Sequence, residues 1–75
     1  KGNNMFIQLS RFQNSFGDTE PVFVNPSQVE CFFPFRDTFG GREIEVTKIQ
    51  FNQGHLVVKE DLMTIQSYII SAQRG

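Results

Sequence analysis

The sequence predicts a mainly β (α+β) fold: a small curled antiparallel sheet, or a partly open five-stranded barrel, capped by one C-terminal helix. Three observations predict it. Apolar residues alternate with period two through short segments between Met5 and Lys59. The period changes to three and four only after Asp61, where Leu62, Ile65, Ile69 and Ala72 form one stripe. The connections between segments are shorter than the crossovers of about a dozen residues that parallel pairing requires. At 75 residues the chain has room for a single domain, taken as 5–75 with residues 1–4 set apart as a tag or disordered lead.

Each element has a local reason. Met5, Ile7 and Leu9 share one face of a first strand that ends at Phe12, and Phe6, Gln8 and Ser10 share the other. Polar residues 13–20, with Gly17, make a long turn. Pro21 opens a second strand, Val22–Val24, since a first residue can spare its donor. Asn25-Pro26-Ser27-Gln28 is a single tight turn, because Pro26 fixes its own φ and extends Asn25.

The third strand, Val29–Phe35, places Val29, Cys31, Phe33 and Phe35 on the inner face, with Pro34 marking an edge or bulge. Residues 36–42 form a loop around Gly40-Gly41. In the fourth strand, 43–51, Ile44 and Val46 have the opposite parity to Ile49 and Phe51, and a bulge near Thr47-Lys48 reconciles them. Asn52-Gln53-Gly54 turns the chain into a fifth strand, 55–59. Asp61 then caps a helix of about 61–73, with Gly75 as its terminator.

Composition excludes several classes of function. A net charge of −1 gives no strong attraction to a phosphate backbone. One Cys excludes an intramolecular disulfide, and one Cys with one His cannot complete a four-ligand zinc site. Apolar runs of about three residues are far below the ~18 that suggest a spanning helix. The reading is a cytoplasmic protein with no membrane partner and no cofactor. Cys31 reads as a small buried hydrophobe and His55 as an exposed hairpin residue, so no catalytic residues are assigned and the chain is read as non-enzymatic. Gly40-Gly41-Arg42 lacks the Lys-Ser/Thr and following helix of a phosphate-binding loop.

Two stretches, Val24-Asn25-Pro26-Ser27-Gln28-Val29-Glu30 and Gly54-His55-Leu56-Val57-Val58-Lys59-Glu60, resemble small proteins of the FlbD flagellar type and similar short proteins of bacterial viruses and mobile elements. The resemblance spans most of the chain in outline and these two stretches in residue detail. It implies a small, non-enzymatic, interaction-dependent protein. The long Phe-containing first turn and the loop carrying Phe39 depart from the family pattern.

The nine Phe among ten aromatic residues are the compositional anomaly. Phe33, Phe35 and Phe51 fit the inner face. Phe6, Phe12, Phe23 and Phe32 have the opposite parity, and Phe16 and Phe39 lie in loops. Burying one Phe is worth about 1.5–3 kcal/mol, so a second Phe face points to an interface, and a homo-oligomer is the simplest partner. Phe6, Phe12, Phe23 and Phe32 are therefore the candidate oligomer interface. The foremost functional expectation is an oligomeric interaction protein of phage or mobile-element origin that inhibits a host protein. An alternative is a sponge for a nucleotide immune signal at an oligomer interface, with Phe16 or Phe39 stacking on a base and Arg11, Arg36 or Arg42 pairing with phosphate. Single-stranded nucleic-acid binding comes third, against the neutral net charge.

Overall fold

The computed structural model describes residues 6–74. Five strands, β1 (Ile7–Phe12), β2 (Thr19–Val24), β3 (Val29–Phe39), β4 (Arg42–Phe51) and β5 (Gly54–Val58), form one open antiparallel sheet. Its order is β2-β1-β5-β4-β3. Helix α1 (Leu62–Arg74) follows. The expectations for Met5, for residues 1–4 and for Gly75 fall outside the described residues.

Both edge strands carry a proline, Pro21 in β2 and Pro34 in β3, where a missing donor leaves no interior ladder broken. Pro21 does not open its strand: β2 starts at Thr19, and Pro21 pairs with Ser10 inside the ladder. The Asn-Pro turn is one turn of 3-10 helix, Pro26–Gln28, with the Asn25 carboxamide accepting from the Ser27 N–H at 3.0 Å and the Ser27 hydroxyl at 2.8 Å.

One face of the sheet packs on α1. Ile7 and Leu9 of β1, Val24 of β2, Ile49 of β4 and Val58 of β5 meet Ile65 in a buried core, and Val22, Phe32, Phe51, Leu56 and Ile69 pack around it. Asp61 caps the helix: its carboxylate accepts from the Thr64 N–H at 2.8 Å. That bond, with the Thr64 side chain, holds the Asp61 carboxyl below the usual aspartate range.

The irregularity lies in β3, not β4. Every β4 residue from Arg42 to Phe51 has a partner in β3, but the β3–β4 ladder shifts between Val29 and Cys31, leaving Glu30 as the extra residue on the β3 side. One extra residue flips every side chain beyond it. Cys31, Phe33 and Phe35 therefore lie on the face away from the helix, and Phe32 turns toward the core. This corrects the sequence reading, which put Phe33 and Cys31 inside; both are exposed.

The phase change in β4 is genuine but needs no bulge. Ile49 is buried on the helix side, and Val46, also buried, has the opposite parity. The sheet thus buries different faces over its two halves. On Val46's face, Phe12 stacks on Phe39 with ring centroids 4.1 Å apart, and the Lys48 ammonium lies 4.2 Å from the Phe35 ring centroid.

The two halves of the sheet meet where β1 and β5 share a single ladder pair, Arg11 with Val58. Glu60 extends that junction. Its carboxylate accepts from the Ser10 N–H and the Ser10 hydroxyl, both at 2.9 Å, and its carbonyl accepts from the buried Thr47 hydroxyl at 2.7 Å. The Lys59 N–H donates to the Ser10 carbonyl at 2.9 Å. Glu60→Ala leaves a half-buried Ser10 amide without its acceptor and should reduce stability by about 1–2 kcal/mol in urea denaturation. Glu60→Gln keeps one acceptor and should lose less; equal losses would refute the clamp.

Candidate functional site

The segment 36–42 is not a loop. β3 continues to Phe39, β4 begins at Arg42, and Gly40-Gly41 alone form the turn. Both glycines have positive φ, 60° and 77°, the backbone that a two-residue hairpin with right-handed twist requires. The correction separates the five candidate ligand residues, and Arg11 is already paired with the Glu20 carboxylate. Arg36 lies on the helix-side parity of β3, with its guanidinium 4.0 Å from the Glu43 carboxylate. Phe16, Phe39 and Arg42 come together at the opposite end of the sheet from the Asn-Pro turn.

These three line an open cleft of about 420 Å³, along with Phe12, Ile44 and Lys59. The stacked Phe12 and Phe39 rings and half-buried Ile44 supply apolar wall. Phe16 is 77% exposed at the rim. Its loop is nonetheless well tied. The Asn14 carboxamide oxygen accepts from the Phe16 N–H at 2.9 Å and the Asp18 N–H at 3.3 Å, and the Gly40 N–H donates to the Ser15 carbonyl at 2.7 Å. That last bond occupies one of the amides that a Gly-Gly anion cradle would use. Lys59 was not singled out by sequence reasoning. Its place in the cleft depends on the β1–β5 junction, a pairing between distant segments that no local pattern signals.

The four candidate interface residues also part company. Phe6 and Phe23 are 55% and 68% exposed and line one groove of about 580 Å³, together with Phe51, Asn52, His55 and Leu56. Phe12 is half-buried in its stack with Phe39. Phe32, expected at the interface, packs against the core instead, because the bulge at Glu30 reversed its parity.

Cys31 and His55 share a cross-strand row. Cys31 is opposite Gln50, and Gln50 opposite His55. Two strand spacings put them about 10 Å apart, beyond the reach of a nucleophile–base hydrogen bond. Among the described residues no group of three or more His, Cys, Asp or Glu side chains is placed to hold a metal ion. Among the described residues no helix is long and apolar enough to cross a membrane. Comparison of the chain with protein-family models, curated proteins and solved structures gives no match.

Proposed function

We propose that this chain is a non-enzymatic interaction protein that works as a homo-oligomer, with the Phe6–Phe23 groove as its self-association surface. The observation that carries this reading is the pair of largely exposed Phe rings lining one groove with Phe51 and Leu56. Fully burying a Phe is worth about 1.5–3 kcal/mol, and these rings, 55% and 68% exposed, forgo more than half of that gain. A closed pairing of identical surfaces recovers that gain on both copies at once. A small domain, with little interior of its own, benefits most.

Inhibition of a host protein, in a phage or mobile-element setting and with FlbD-like kinship, forms part of the same proposal. It rests on the Val24–Glu30 and Gly54–Glu60 stretches. Two features give those stretches structural roles that an interaction scaffold needs: the Asn25-capped turn ends one edge strand, and Glu60 clamps the sheet halves.

Light scattering tests the assembly directly. The wild-type chain should elute as an oligomer, and Phe23→Asp should convert it to monomer with unchanged circular dichroism, since Phe23 is exposed on an edge strand. A wild-type monomer at tens of micromolar removes the proposal.

A further inference from the structure

We propose that the cleft between the β1–β2 loop and the β3–β4 turn binds a small aromatic anion of the nucleoside monophosphate class, with its base against Phe16 and its phosphate between Arg42 and Lys59. This site is distinct from the Phe6–Phe23 groove and does not depend on self-association.

The charge argument comes from the acidic side chains. Among the described residues, those near the cleft form no ion pair with Arg42 or Lys59. The Asp18 carboxylate accepts from the Asn14 carboxamide at 3.0 Å. Glu20 pairs with Arg11. Glu43, adjacent to Arg42, points to the other face of the strand and lies against Arg36. Asp37 accepts from the Thr38 N–H at 2.8 Å. Glu60, adjacent to Lys59, is held by Ser10. Among the described residues no carboxylate lies within 4.0 Å of the Arg42 or Lys59 cation. Two exposed cations without an ion-pair partner among the described residues thus share one cleft. A phosphate dianion matches that pair.

The aromatic argument is equally local. Among the described residues Phe16 is the most exposed of the large apolar side chains. Its backbone is nevertheless fixed by Asn14, and its loop by the Gly40–Ser15 bond. An exposed ring on a pre-ordered loop loses little entropy when a planar partner stacks on it. A volume of about 420 Å³ falls in the range of small-ligand sites, roughly 300–1,000 Å³.

Titration of the full chain with AMP, followed by amide chemical shifts, tests the site. Saturable shifts are expected at Phe16, Gly17, Gly40, Arg42 and Lys59. Phe16→Ala should weaken AMP about tenfold through lost stacking. Arg42→Ala and Lys59→Ala should each weaken it about fivefold through lost charge-assisted bonds. Adenosine alone and inorganic phosphate alone should each bind at least tenfold more weakly than AMP. The proposal is overturned if 5 mM AMP, GMP, CMP and UMP (a level of about 10⁻³ M, where weak specific binding of roughly −4 kcal/mol registers) move no cleft amide. It is also overturned if phosphate alone matches AMP, if the three variants bind AMP like wild type, or if a ten-residue oligothymidylate binds more than tenfold tighter than AMP, which would mark a strand-binding surface.

Discussion

Leu9→Ala should remove a large part of the chain's folding stability in water at 25 °C. Leu9 has no exposed surface and sits in the core that joins β1, β2, β4, β5 and α1. Truncation to Ala at such a site costs about 2–5 kcal/mol, the lost transfer energy plus a cavity that neighbours only partly fill. A chain of this length has a total stability of roughly 4–11 kcal/mol. The loss is therefore a large part of the whole. Leu9→Met conserves volume and should cost less than about 1.5 kcal/mol. Urea titration followed by far-ultraviolet circular dichroism separates the two, and a loss below about 1 kcal/mol for Leu9→Ala would show that the sheet–helix interior is not the main source of stability.

Gly40→Ala should be the most damaging change at a surface turn, and Gly41→Ala the informative control. Both residues have positive φ, so a Cβ at either costs about 1–2 kcal/mol. At Gly41 that Cβ meets nothing within 4 Å. At Gly40 it meets the Phe16 carbonyl oxygen at 2.9 Å, a backbone atom that cannot rotate away. The clash pushes apart the two loops and strains the Gly40–Ser15 hydrogen bond, adding about 1–2 kcal/mol to the conformational cost. Amide exchange should then rise at Phe16 and Gly40 in Gly40→Ala and stay near wild type in Gly41→Ala. Identical thermal midpoints for the two variants would show that the loops are not in contact.

Much of the architecture was legible in the sequence because its signals are local. Period-two alternation located the strands, Asp61 and the Leu62–Ile65–Ile69 stripe located the helix, and short connections required antiparallel pairing. The Asn-Pro turn followed from the constraint that Pro26 imposes on its own φ and on Asn25.

What misled was phase. In β4 a parity change looks the same whether the strand is bulged or whether a twisted sheet buries its two faces over different halves. In β3 the run Cys31–Phe35 is apolar at nearly every position, so alternation alone does not mark the slip at Glu30. That one residue exchanged Phe32 with Phe33 between core and surface. The candidate sites suffered the same limits. Phe16, Phe39 and Arg42 come together across two separate turns, which no local pattern signals, while Arg36 sits on the other face of β3. Lys59 enters the cleft only through a pairing between segments nearly fifty residues apart.

That pairing has a kinetic meaning. The β3–β4 and β4–β5 hairpins close over two-residue turns, and the β1–β2 hairpin over a six-residue loop. Joining β1 to β5 closes a loop roughly eight times longer than that last one, which raises the entropic cost by about 2 kcal/mol. The topology therefore predicts two quick, local folding units, a β1–β2 hairpin and a β3–β4–β5 meander, and one slow seam. The hydrogen bonds that cross that seam join Ser10 to Glu60 and Lys59, while Thr47 holds the Glu60 backbone, so the residues that close the seam are those expected to make the two units unfold together.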